Sequence, residues 1–205
     1  MQFKYLKHDL YRYFYPDDSV SNISIFSKFK IVFFTQAIWA IIVYRFLRWT
    51  IYECKVPILD KLLFIIGSIF ELIIQITTGI NIEAGSDIGP GLYIGHYGNI
   101  FIPGDVKIGK FCNLSHENTL GIAGRGINRG VPTIGDFVYI GAGAKIIGKI
   151  SIGNSVAIGA NAVVTKDIAD NSVAVGVPAK VISYGSSNDF IEFNRNMNIE
   201  FLDDD

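Results

Sequence analysis

Residues 134–159 read IGDFVYIGAGAKIIGKISIGNSVAIG, with isoleucine at 134, 140, 146, 152 and 158 and glycine after four of the five. A period of six suits neither an α-helix of 3.6 residues per turn nor a strand that alternates every second residue. It suits a solenoid in which every sixth side chain enters a narrow shared core and glycine takes the corners. Upstream the beat continues through Ile82, Ile88, Ile94, Ile102, Ile108, Leu114 and Leu120, and downstream it reaches Val164. Three hexads make a coil of about 18 residues. Ile82, Ile102 and Leu120 are therefore expected in one column, and Ile94 and Leu114 in another.

The beat breaks twice. A slip of two residues falls between Ile94 and Ile102, so His96 and His116 each stand two places after a core residue, one coil apart. Their imidazoles are expected on neighbouring strands, roughly 4.8 Å apart. The second break is residues 121–132, a loop with four glycines, Arg125 and Arg129. Excursions from a regular scaffold are where solenoids place function.

Outside residues 80–182 the pattern changes. Residues 1–79 are expected to be helical over 3–13, 29–52 and 59–77, broken at Pro16 and Pro57 and stopped by Gly79. The apolar runs 31–43 and 62–76 fall short of the roughly 20 apolar residues of a bilayer crossing. They are expected to pack on each other or on sister subunits. The other reading is peripheral membrane contact, with Arg45, Arg48 and Trp49 at headgroup level. Residues 183–205 form a polar segment ending in Asp203, Asp204 and Asp205, which reads as a loose tail.

Half of the 205 residues are apolar and the formal charge is −1, so no electrostatic footprint for nucleic acid exists. Cys54 and Cys112 have no disulfide or metal spacing and read as reduced thiols of a cytoplasmic protein. Such a protein could work at the inner face of the membrane. The start of the chain lacks the plan of a signal peptide. Of the three histidines, His8 belongs to the helical part, which argues against a three-histidine metal centre, and no metal is expected.

These residues resemble the left-handed parallel β-helix acyltransferases of the hexapeptide-repeat superfamily, and within it the serine acetyltransferase branch. The resemblance rests on Thr78-Gly79-Ile80, residues 88–96 (IGPGLYIGH), Thr119-Leu120-Gly121, and residues 140–146 (IGAGAKI), 158–167 (IGANAVVTKD) and 175–181 (VGVPAKV). Asp9-Leu10-Tyr11-Arg12 and residues 38–45 are fainter echoes. It implies a mainly β fold with an α-helical N-terminal region, homotrimers with active sites between subunits, acetyl-CoA as donor, and a histidine base matching His96. A neutral imidazole suits deprotonation of an alcohol attacking a thioester, worth about 10² to 10⁴ in rate. On the donor side the resemblance carries Ala142 and Ala160 to pantetheine, and Thr165, Lys166 and Lys180 to the nucleotide end.

Several positions depart from the branch. Asn81 stands where an aspartate orients the base, Gly95 replaces the aspartate before the histidine, and Val131 replaces a loop histidine. Losing charges from an amino-acid site leaves a zwitterion unpaired, an expensive loss in a desolvated pocket. The orienting role is left open between Asn81, Glu83 and Glu117, each carboxylate being equally readable as a solvated surface group. Glu117 is also a candidate for contact with the acceptor. His116, where the family usually has glutamine, either touches the acceptor or stands as a ring neighbour of His96. Arg125 and Arg129 either hold an acidic acceptor or the donor's phosphates, or are solvated. The tail also lacks the terminal isoleucine through which serine acetyltransferases dock a partner enzyme. The expectation is therefore direct acetyl transfer to a hydroxyl of a sugar, a surface polysaccharide or its precursor. The alternative is serine O-acetylation feeding cysteine synthesis, and a more distant one is a non-catalytic β-helix scaffold.

Overall fold

The computed structural model describes residues 1–20 and 22–191. Four helices come first: α1 (Gln2–Phe14), α2 (Ile25–Phe34), α3 (Gln36–Tyr52) and α4 (Leu59–Thr78). The helix expected over 29–52 is two helices, bent by 86°. Thr35 leaves helical geometry at φ −107° and ψ 99°, and Trp39 pins the elbow by donating its ring N–H to the carbonyl of Val32 at 2.9 Å. α4 stops at Gly79, which is left-handed at φ 70° and donates its N–H to the carbonyl of Gln75.

A parallel β-helix follows. Its first face is β1 (Ile80–Ile82), β4 (Ile100–Ile102), β7 (Thr119–Gly121), β10 (Lys145–Ile147) and β13 (Val163–Val164). The second is β2 (Asp87–Ile88), β5 (Lys107–Ile108), β8 (Thr133–Ile134) and β11 (Ser151–Ile152). The third is β3 (Tyr93–Ile94), β6 (Asn113–Leu114), β9 (Tyr139–Ile140), β12 (Ala157–Ile158), β14 (Val173–Val175) and the antiparallel β15 (Lys180–Ser183). The columns follow the hexad count. Ile82 lies on Ile102 and Leu120 on Ile146, while Ile94, Leu114, Ile140, Ile158 and Ala174 stack through the third face. These side chains are almost fully buried, and burial of each isoleucine or leucine is worth about 1.5–3 kcal/mol.

Glycine serves a different purpose from the expected one. Gly135 and Gly141 lack a left-handed φ. A Cβ on Gly141 would stand 2.7 Å from the amide of Ala160, and one on Gly135 would stand 2.8 Å from the backbone of Gly153. Close approach between coils therefore demands glycine there. The left-handed corners are shared between glycines outside the hexad positions, such as Gly91 and Gly143, and non-glycine residues, including Phe111, Glu117, Phe137, Ser155 and Asn161.

The first coil has no coil before it, so its outer backbone groups need other partners. α1 and α3 supply them in chain order. Arg48 donates to the carbonyls of Gly85 and Ser86. Tyr44 donates to Ser86 at 2.8 Å and accepts from the N–H of Ile88 at 3.2 Å. Arg45 donates to the carbonyls of Ile88 and Gly89 at 2.6 and 2.7 Å, Arg12 to that of Gly91 at 3.0 Å, and Asp9 accepts from the N–H of Leu92 at 2.8 Å. Tyr13 donates to the carbonyl of Ile94 at 3.0 Å and accepts from its N–H at 2.9 Å. Arg45 and Asp9 form a fully buried ion pair at 2.8 Å.

Residues 183–191 of the expected loose tail run back along the solenoid. Ser186 donates its N–H to the carbonyl of Asn171, and Ser187 to that of Ser155, while the Ser187 hydroxyl donates to the carbonyl of Phe137. Phe190 then stacks on Tyr139 at 5.2 Å, and Ile191 is buried. The last fourteen residues, with the acidic end and the missing terminal isoleucine, lie outside the described residues.

Candidate active site

The edge where the third face turns into the first carries a file of equivalent positions. Each stands two residues after a member of the stacked column from Ile94 to Ala174, which gives His96, His116, Ala142, Ala160 and Gly176. The two imidazoles lie with ring centroids 5.8 Å apart at 75°, edge to face. His96 is exposed and His116 half-buried. Backbone bonds fix the corners: Glu117 donates its N–H to Gly98, Gly143 to His116 and Asn161 to Ala142, at 2.8, 3.0 and 2.8 Å. Below the histidines the side chains shrink to methyl groups and then to a glycine. This leaves a lane along the axis in which a flexible chain could lie against the backbone.

Polar atoms buried without a hydrogen-bond partner in this region include Nδ1 of His116, Oδ1 of Asn118 and Oδ1 of Asn81. Asn81 points outward from β1, beside Phe101 of β4. Glu83 is not brought to His96. It lies past the end of β1, at the edge between the first and second faces, and its carboxylate accepts the N–H of Gly104 at 2.7 Å. There, burial and then the charge of Glu83 push the Glu71 carboxyl above the usual range. Glu117 is exposed in a left-handed corner next to His116.

The remaining candidates fall elsewhere. The loop closes on itself through paired bonds between Ala123 and Gly130, with a 3-10 turn (Gly126–Asn128), and presents Arg125 and Arg129 to solvent. It leaves from β7 and rejoins at β8, so it projects from the edge between the first and second faces. Thr165 and Lys166 follow β13 at that same edge, and Lys180 is exposed on β15. One chain therefore carries two half-sets on different edges. Cys112 is fully buried with its thiol pushed up to about 12 by burial, and its Sγ faces the carbonyl of Gly135 at 3.2 Å. It is a packing residue. Among the described residues, no group of three His, Cys, Asp or Glu side chains is arranged to hold a metal ion. Among the described residues, no single helix is long and apolar enough to cross a membrane.

Sequence reading missed two parts of the site. Gly176 ends the file, hidden because the step from Ile158 to Ala174 is two residues shorter than that from Ile140 to Ile158. Tyr13 grips the strand that leads to His96, and nothing in the spacing of α1 announces it.

A family model described as bacterial transferase hexapeptide (six repeats) matches residues 132–166. Together with the coils and the file, this defines a hexapeptide-repeat transferase. The serine acetyltransferase of Helicobacter pylori (strain J99 / ATCC 700824) is 33% identical over 178 residues, covering 87% of this chain and 96% of its own length. The structure of Neisseria gonorrhoeae serine acetyltransferase in complex with serine is 26% identical with a TM-score of 0.71, covering 89% of this chain and 69% of that one. A serine acetyltransferase in complex with CoA shares the fold at 23% identity and a TM-score of 0.70, covering 88% and 69%. The chain belongs to the serine acetyltransferase family, a family of acyltransferases. It spans only 55% and 47% of two longer curated relatives.

The family overturns the expected sugar or polysaccharide acceptor, since the relative matched over nearly its whole length is a serine acetyltransferase. It equally removes the scaffold reading. The inference from missing charges failed for a physical reason. An ammonium group can be held by neutral acceptors as well as by carboxylates, so the loss of those charges does not exclude an amino-acid acceptor.

Proposed function

We propose that the chain transfers the acetyl group of acetyl-CoA to the hydroxyl of serine. The observation that carries this, beyond family membership, is the file that places a histidine pair at the head of a lane of small residues. In the proposal His96 takes the hydroxyl proton as the oxygen attacks the thioester carbonyl carbon. The C–S bond then breaks, and the proton passes to the leaving CoA sulfur, giving O-acetylserine and free CoA. Asn81 orients the imidazole without the charge stabilisation of a carboxylate. His116 and Glu117 face the acceptor. Pantetheine lies along Ala142 and Ala160, with Thr165, Lys166 and Lys180 near the nucleotide, where lysine suits phosphate as a point charge.

The same proposal makes the enzyme a homotrimer of the cytoplasm. Arg125 and Arg129 come from one edge of a subunit, and the histidines from a different edge of its neighbour. The exposed apolar side chains of α2 and α4, among them Phe29, Phe33, Ile69 and Ile76, suit packing against further copies. Peripheral membrane contact has no separate support and is not part of the proposal.

The test is thiol release from acetyl-CoA with serine as acceptor, alongside sedimentation. His96→Ala is expected to lose about 10² to 10⁴ in kcat while the mass stays at three chains or a multiple. A wild-type protein inactive on serine would overturn the acceptor, an active variant the base, and a monomer the assembly.

A further inference from the structure

We infer that Tyr13 is a positioning residue for His96, acting from α1 through the backbone of β3. β3 is the edge strand of the third face. One side of it is held by β6, with the N–H of Tyr93 on the carbonyl of Cys112 and that of Gly95 on Leu114, at 3.0 and 2.9 Å. On the other side, at Ile94, the Tyr13 hydroxyl takes both backbone groups, as a neighbouring strand would. The tyrosine is itself fixed, its ring lying 4.7 Å from that of Tyr93. The next two residues are Gly95 and His96. Gly95 has no side chain to stiffen the corner, so the last groups held before the imidazole are the Gly95 N–H, on Leu114, and, on the outer side, the Ile94 backbone in the grip of Tyr13. Releasing that grip lets the corner shift against His116, and a displacement of about 1 Å at a reacting group lowers rate about a hundredfold.

This rests on His96 being the base, and the fold supplies its own control. Tyr44 makes the same kind of two-way bond to β2, at Ser86 and Ile88, but β2 does not run into the histidine corner. Tyr13→Phe and Tyr44→Phe each delete one hydroxyl and keep the ring. Both are expected to lower the unfolding midpoint by a similar amount. Only Tyr13→Phe is expected to lower kcat, by about tenfold to a hundredfold, with KM for acetyl-CoA within twofold of wild type. Only it should move the NMR ring signals of His96 and His116. Equal losses of activity in the two variants would overturn the inference, as would a Tyr13→Phe enzyme with unchanged kcat and unmoved signals. The ring signals are read without turnover, so they test Tyr13 even if serine proves not to be the acceptor. In the wild-type protein the amide of Ile94 should exchange with solvent as slowly as that of Gly95; rapid exchange would overturn the grip without any variant.

Discussion

A Cβ placed on Gly95 would stand 3.7 Å from the Tyr93 ring and 3.9 Å from the carbonyl of Leu114, ordinary contact distances, and its φ is not left-handed. Nothing steric therefore requires glycine beside His96, and a carboxylate can be restored there. Gly95→Asp is expected to lower KM for serine about tenfold, about 1.4 kcal/mol, by giving the substrate ammonium an opposite charge. An unchanged KM in thiol-release kinetics would mean that the ammonium is held elsewhere. The pairing of His96 with His116 was legible because a hexad count fixes which side chains share an edge, whereas Ala142 and Ala160 came only through the family resemblance. Glu83, one of the alternatives left open as a partner for the base, lies a whole face away from the histidine corner, past the far end of β1. Tyr13 was illegible for another reason: its partner Ile94 is 81 residues away, and no local pattern encodes such a contact.

Among the elements, the strands were the easiest to foresee and the α2–α3 elbow the hardest. Only Thr35 and Gln36, both uncharged, interrupt an otherwise apolar run, so composition barely marks a break that backbone geometry makes abrupt. The seam between helices and solenoid depends on charge buried where neither partner meets water. Asp9 and Arg45 are both fully buried, and Arg45 also serves two carbonyls. Removing one member of a buried pair strands the other. Asp9→Asn is accordingly expected to cost about 3–5 kcal/mol of folding stability, read from the denaturant midpoint. A loss below about 1 kcal/mol would mean that the carbonyls of Ile88 and Gly89 already satisfy the guanidinium.

For the whole molecule, the division of candidate residues between two edges makes a sharp prediction. In the proposed homotrimer, His96→Ala and Arg129→Ala variants should each be inactive or nearly so. Refolded together, they form mixed trimers in which one subunit's intact histidine can meet another's intact loop, and activity should return. No recovery, with mixed trimers verified by mass, would mean that each chain works alone. The two ends of the prism carry a different consequence. A stack of parallel strands is a template for its own extension, since every exposed rim invites another chain to pair with it. Here one rim is occupied by six side chains of α1 and α3, and at the other the antiparallel β15 reverses the chain against β14. The helical region is thus also a stopper, and a chain stripped of it would present a bare rim from which fibres could grow.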